Sequence, residues 1–264
     1  MSNSVSAAAS ARQQARLSLS VIITAMNEEG NLRPTVDSVV AVVGPRAWDY
    51  EVLIIDDGST DRTGRIADEL AAANPRIRVH HQPRNLGLDR AYLKGIELAQ
   101  KEYIAWVAGN NIIPATALEA IYSRIGEADM VLSYTFVDVR GIGRRSMSRA
   151  FIILLNLLFG VRLKYYTGPC VYRSAAAKRL KTVTHGSMIV PEILLRLIQS
   201  GQTYVEVGLH PKPRTSGRTK TFRLRNLAYV AVSVLRLFAD IRVLEPFKSC
   251  MHEVRALVKT DRRL

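Results

Sequence analysis

Residues 17–25 (LSLSVIITA) and 51–55 (EVLII) are short, near-continuous apolar runs rich in β-branched side chains. That pattern marks strands buried on both faces. Residues 76–80 (RIRVH) and 103–107 (YIAWV) read as two more strands. Between them, residues 27–41, 60–73 and 89–99 carry apolar positions at helical spacing, as at Ile66 and Leu70. Strand alternating with helix at this pitch predicts an α/β fold: a mostly parallel sheet with helices on both faces. Residues 130–134 and 203–207 extend the sheet. Ligands of such sheets bind beyond the carboxyl ends of the strands. The polar residues expected there are Asn27, Glu28 and Glu29, then Asp56 and Asp57, then residues 84–89, then Gly109, Asn110 and Asn111.

Composition narrows the class. Of 264 residues, 48% are hydrophobic and 23% charged, which excludes a disordered chain. Two cysteines, Cys170 and Cys250, make a disulfide scaffold untenable. The formal net charge is +14, but residues 1–139 hold 13 Lys/Arg and 17 Asp/Glu (net −4), and residues 140–264 hold 24 and 6 (net +18). A basic half of this kind suits an anionic partner: nucleic acid, an anionic membrane or a phosphorylated substrate. No Walker motif, G-x-G-x-x-G after a strand, or C-x-x-C is present, against an NTPase, a dinucleotide oxidoreductase and a zinc module. No signature of a nucleic-acid-binding module is present either, so no nucleic acid is expected as partner.

The apolar runs 150–161 and 227–235 are shorter than the roughly 18–20 residues that cross a bilayer. The first follows Arg144, Arg145 and Arg149, and the second follows Arg223 and Arg225. A basic flank beside an apolar helix predicts an interfacial helix on anionic lipid, with packing on the core as the rival reading. The first 17 residues contain no apolar signal core and read as a disordered lead-in. The expected location is the cytoplasm, peripheral on the inner face of the membrane. The expected division is a lead-in over 1–17, one domain over 18–222 and amphipathic helices over 223–264.

Asp56-Asp57-Gly58-Ser59-Thr60-Asp61 follows the second strand. Helix capping explains Ser59 and Asp61 readily, but adjacent carboxylates at the end of an apolar strand repel and need donors. With VIITAMNEEGNL before it and PRNLGLDRAYLKGIELA after it, the chain resembles a family 2 glycosyltransferase of the GT-A (Rossmann-like) fold. It is most similar to the dolichyl- and polyprenyl-phosphate sugar synthases, over about residues 18–220. The resemblance implies transfer of a sugar from a nucleotide-sugar to a lipid-linked or membrane acceptor, with inversion. A catalytically silent relative that binds nucleotide-sugar or a partner is the alternative. The resemblance puts Ala25, Asn27 and Glu28 on the nucleotide, Asp57 on the base with Asp56 beside it, and Arg84, Asn85 and Gly87 in the next donor loop. Arg90 and Lys94 lie near enough to serve the phosphates.

The chain departs from the family where an acidic Asp-x-Asp pair normally holds a divalent cation. Here the segment reads Trp106-Val107-Ala108-Gly109-Asn110-Asn111, and hard cations want carboxylate oxygens. Three readings follow. Basic residues replace the metal; Mg or Mn binds weakly through Asn110 or Asn111; or the protein is non-catalytic. In the basic half, Tyr165, Tyr166, Thr167 and Gly168 stand where the acceptor turn is expected. Glu192, following Pro191, resembles the acceptor-site acid and is the candidate general base for a hydroxyl acceptor. Arg214, Arg218 and Lys220 lie in a Pro- and Gly-bearing loop and are the candidate clamp for the departing diphosphate. The histidines show no metal-ligand spacing and receive no role.

Overall fold

The computed structural model describes residues 17–46, 48–135, 142–210 and 224–244. The lead-in expected over 1–17 therefore lies, but for Leu17, outside the described residues. Seven strands form one sheet: β1 (Ser18–Ala25), β2 (Asp49–Asp56), β3 (Ile77–His81), β4 (Tyr103–Ala108), β5 (Met130–Thr135), β6 (Cys170–Arg173) and β7 (Tyr204–Leu209). Their order is β3-β2-β1-β4-β6-β5-β7. The pairs β1–β2, β1–β4, β2–β3 and β5–β7 are parallel, and β6 runs antiparallel between β4 and β5. The expected α/β architecture is the one observed. The four residues of β6 are an addition to the six strands expected.

The helices are α1 (Leu32–Val43), α2 (Thr63–Ala73), α3 (Leu88–Leu98), α4 (Ala115–Tyr122), α5 (Ile142–Phe159), α6 (Ser174–Lys178), α7 (Ile189–Gln199) and α8 (Leu224–Ala239). Alternation along the strands builds two cores. Leu19, Val21 and Ile23 of β1 and Val52 and Ile54 of β2 face Val36 and Val39 of α1, Leu70 of α2 and Leu118 of α4. Ile22, Leu53, Ile55 and Trp106 face the other way, against Tyr92 of α3, Leu155 and Phe159 of α5, Ile193 of α7 and Leu237 of α8. Burial on both faces is why β1 and β2 read as unbroken apolar runs.

Two helix starts differ from expectation. α1 begins at Leu32 and not at residue 27, and α2 at Thr63 and not at residue 60. The residues between are spent on tying two loops together, as described below. The apolar runs 150–161 and 227–235 fall within α5 and α8. No described helix is long and apolar enough to cross a membrane.

Candidate functional site

Starting from β1, the chain runs outward to β2 and β3 and then returns to β4 on the other side. The strand order thus reverses beside β1, and the crevice at the carboxyl edge opens there. The backbone ladder continues past the strand ends: Asp57 N donates to Ala25 O (2.9 Å), and Gly109 N to Thr24 O (2.9 Å). Ala25, Asp57 and Gly109 are therefore held side by side.

The first two loops are laced together. Asn27 adopts a left-handed conformation (φ 53°). Its backbone N–H donates to Ser59 Oγ (3.0 Å), and its Oδ1 accepts from Thr60 N (2.8 Å). Glu28 N donates to Thr63 Oγ1 (2.8 Å), and Glu28 Oε2 accepts from Asn31 Nδ2 (2.6 Å). These bonds hold Asn27 in its left-handed conformation, which a right-handed helix cannot contain, so α1 starts later.

Asp56 and Asp57 are both buried. Asp56 Oδ1 accepts from Ser59 N (3.1 Å), and Oδ2 lies 2.9 Å from His81 Nδ1. Asp57 Oδ1 accepts from Leu86 N (2.8 Å) and Oδ2 from Gly87 N (3.0 Å). Burial pushes the Asp57 carboxyl above its ordinary range; the two N–H groups pull it back, and Asp89 and Asp56 push it further up. Asp57 thus ties the residue 84–87 loop to the end of β2. Gly58 (φ 66°) completes the join: a Cβ there would stand 2.2 Å from the Arg84 carbonyl carbon. Arg84, Asn85 and Arg90 are exposed beside it, and Lys94 pairs with Glu97 at 2.8 Å.

Past β4, Asn111 also takes a left-handed conformation (φ 53°). Its N–H donates to Thr35 Oγ1 (3.0 Å), while its buried Oδ1 has no partner. Asn110 Oδ1 accepts weakly from Ile112 N (3.4 Å). Only amide oxygens are offered at this strand end. Among the described residues, no three His, Cys, Asp or Glu side chains converge into a group that could hold a metal ion. The donor set does not fit a carboxylate-held divalent cation.

The acceptor expectations need correction. Tyr166 is buried; its hydroxyl donates to Asn156 Oδ1 (2.7 Å), and its ring packs against Phe151. It is a core residue and is not available to stack on a ligand. Gly168 is a packing glycine, since a Cβ there would lie 2.4 Å from Ser133 Oγ. Tyr165 is half-buried and Thr167 exposed at the same turn. Glu192 is fully buried. Its Oε1 accepts from Val183 N and Arg196 Nε (both 2.8 Å), and its Oε2 from Thr184 N (2.8 Å) and Thr184 Oγ1 (2.6 Å). Arg196 in turn reaches Asp240 at 2.5 Å. A carboxylate with four donors and no exposed surface anchors the loop before α7 to the segment after α8, which does not suit the general-base role expected for it. Arg214, Arg218 and Lys220 lie outside the described residues.

Two further residues lie at the site: Asp89, within the 84–89 stretch expected at the carboxyl edge, and His81, to which the sequence assigns no role. Asp89, in the first turn of α3, is buried behind Gly87 and lies 3.2 Å from His185 Nδ1. His81 stands in register with Asp56 across the β2–β3 pair. The parallel register was the signal that would have found it.

The family model described as glycosyl transferase family 2 matches residues 20–184. The chain belongs to this family. Among curated relatives, glycosyltransferase GlyG of Streptococcus pneumoniae is 33% identical over 94 residues, 36% of this chain and 31% of its own length. A dolichyl-phosphate β-glucosyltransferase of Trichomonas vaginalis is 28% identical over 109 residues, 39% and 32% of the two chains. The family 2 chain thus spans about a third of the length of these curated relatives. Its fold is that of glucosyl-3-phosphoglycerate synthase from Mycobacterium tuberculosis, solved with Mn²⁺, UDP and phosphoglyceric acid. The TM-score is 0.63 at 18% identity, covering 85% of this chain and 78% of that one.

Proposed function

We propose that this chain transfers a sugar, with inversion, from a nucleotide-sugar donor to a lipid-linked acceptor at an anionic membrane surface, with a polyprenyl phosphate as the favoured acceptor. The observation that carries the donor reading is the crevice where Ala25, Asp57, Gly87 and Gly109 meet at the carboxyl edge. Asn27, Glu28, Asp56, Arg84 and Asn85 surround it. The named activities of two relatives support it: one acts on dolichyl phosphate, and a structural neighbour binds UDP.

In the proposed reaction the acceptor oxygen attacks the anomeric carbon as the bond to the nucleotide diphosphate breaks. The departing diphosphate gains charge that must be met by positive groups. Arg84 and Arg90 border the crevice, and Arg214, Arg218 and Lys220 are proposed to join them. The amide oxygens of Asn110 and Asn111 supply no charge, so Mg or Mn is proposed to be weakly bound or dispensable.

The state of Glu192 supports the phosphate acceptor. A hydroxyl acceptor needs a base, and the candidate base is spent on four internal donors. A phosphate acceptor arrives as an anion and needs none.

The membrane partner rests on α5 and α8. Eight of the nine large hydrophobic side chains exposed among the described residues lie on α5, on α8 or in the π-helical turn Asp240–Leu244. They include Ile153, Leu154, Leu157, Val232, Leu235 and Val243. Neither helix contains an Asp or Glu, and Arg145, Arg149, Arg236 and Arg242 are exposed around them. An apolar face ringed by cations suits an anionic lipid surface. Among soluble monomers, apolar patches of this kind mark interaction sites.

The test is a transfer assay with a panel of UDP- and GDP-sugars and polyprenyl phosphate in vesicles, with and without Mn²⁺. Product formation that persists in chelator is expected. No turnover with any donor, alongside measurable nucleotide binding, would sink the enzyme reading in favour of a silent relative. Turnover that requires Mn²⁺ would overturn the dispensable-metal reading.

A further inference from the structure

His81 lies between two carboxylates. Its Nδ1 is 2.9 Å from Asp56 Oδ2 and its Nε2 is 2.9 Å from Asp68 Oδ1. A neutral imidazole carries one N–H, and an ionised carboxylate only accepts. Both contacts are therefore satisfied together only by the imidazolium. The charged groups facing the ring are Asp56 from β2 and Asp68 from α2; His80, next along the strand, points to the opposite face, near Lys94 and Glu97. The backbone of Gly64 in α2 also approaches: a Cβ there would lie 3.5 Å from His81 Cε1 and 3.0 Å from Asp56 Oδ2. The hydrogen bonds to Asp56 and Asp68 hold the imidazole above its ordinary value of 6.5, against a smaller pull from burial.

We propose that the His81 imidazolium is a positioning residue for the donor pocket, a charged clasp that joins α2 to Asp56 and so holds the turn carrying Asp57 in its nucleotide-receiving form. The proposal rests on the donor-site reading above. The path is short. Asp56 Oδ2 is held by His81 while its Oδ1 holds Ser59 N (3.1 Å). Ser59 Oγ accepts from Asn27 N (3.0 Å), and Asp57 grips the Leu86–Gly87 backbone. The imidazolium also places a positive charge against Asp56, next in the chain to Asp57.

On deprotonation, the remaining N–H stays with the buried Asp56, and the Nε2 lone pair then faces the Asp68 carboxylate and repels it. The clasp opens and the site loses one positive charge. The sign follows from the raised value. The contribution is complete below pH 6.5 and is lost as pH rises through the higher value of the folded protein.

The experiment titrates UDP, GDP and dTDP against the full chain by calorimetry between about pH 6 and pH 9, with the His81 ring followed by NMR. Affinity for the nucleotide that binds is expected to fall by about fivefold or more across the His81 titration, and bound nucleotide should move that titration to higher pH. Asp68→Asn can donate its amide to a neutral Nε2, so it should flatten the pH dependence. His81→Gln should bind at low pH only as well as the wild type does at high pH. Binding that is indifferent to pH while the His81 resonance titrates overturns this proposal alone. Absence of binding by all three nucleotides at every pH overturns the donor-site reading, and this proposal with it.

Discussion

Glu192→Gln separates an anchor from a base. The wild-type carboxylate meets four donors: two backbone N–H groups, one hydroxyl and the Arg196 guanidinium. Glutamine keeps one oxygen and presents an NH₂ in place of the other. With that NH₂ on the Thr184 side, the hydroxyl can rotate to accept, but Thr184 N–H is left buried without a partner, at about 1–3 kcal/mol. The Arg196 guanidinium, whose side chain is 4% exposed, also loses a paired charge and keeps only Asp240 and its lesser contacts. Removing one member of a buried pair costs about 3–5 kcal/mol when nothing replaces it. The retained oxygen lowers that, so a net loss of about 3 kcal/mol is reasonable. For a domain of this size each kcal/mol moves Tm by about 2–4 °C, giving a fall of about 6–12 °C. Scanning calorimetry measures it, and the transfer assay run well below the new Tm measures kcat. The anchor role predicts a large Tm loss with kcat within a fewfold of wild type. An unchanged Tm together with a drop of about 10²–10⁴-fold in kcat, the scale of a lost general base, would refute the reasoning.

Other substitutions test other parts of the site. Asp57→Ala orphans the N–H groups of Leu86 and Gly87 and should cut nucleotide binding by about a hundredfold, since hydrogen bonds to charged groups are worth about 1.5–3 kcal/mol each; unchanged binding by calorimetry would place the base pocket elsewhere. Gly58→Ala puts a Cβ 2.2 Å from the Arg84 carbonyl carbon at φ 66°, so the residue 84–87 loop must retreat by about 1.3 Å or more to reach the van der Waals distance of about 3.5 Å. Circular dichroism should stay native while nucleotide binding is lost, and retained affinity would sever that loop from the donor site. Leu157→Ser with Leu235→Ser removes two of the most exposed apolar side chains and should lower binding to anionic vesicles without changing Tm; a shift in oligomeric state with vesicle binding intact would point to a second copy of the chain as the occupant of that face.

The parts of the fold that were legible are those governed by local pattern. β1, β2 and β4 announce themselves because both of their faces are buried. β6 did not, because a four-residue strand wedged antiparallel between β4 and β5 has no run long enough to show a period. The α1 start at Leu32 is not legible because the turn before it, with Asn27 left-handed, is set by bonds to Ser59, Thr60 and Thr63, more than 30 residues ahead. Asp57 was recognisable as a site residue, yet its backbone partners at Leu86 and Gly87 belong to another strand's loop. Glu192 shows the opposite failure. Its i,i+4 partner Arg196 signals an ion pair, while the family resemblance points to an acceptor-site acid.

The charge asymmetry is resolved by asking which charges are already answered. In the acidic half, Asp56 meets His81, Asp57 meets two N–H groups, Asp89 meets His185, and Glu51 meets Arg78. Asp56, Asp57 and Asp89 at the donor crevice are thus compensated from inside, as is Glu51 near the start of β2, and Arg84 and Arg90 are exposed beside the third loop. In the basic half, Glu192 and Asp240 are paired with Arg196, and Glu206 receives Lys164. The acid-free helices α5 and α8 carry cations around their apolar face. Two positive regions therefore exist: exposed arginines around the apolar face, and, at the donor crevice, exposed Arg84 and Arg90 together with the His81 pair that reaches the buried Asp56. Salt screens exposed charges strongly and partly buried ones weakly. Vesicle binding should then fall steeply with ionic strength, whereas nucleotide affinity should follow the protonation of His81 more than the salt. If both properties fell in parallel with salt, the two regions would be one electrostatic surface, and the separation argued from the pairing would fail.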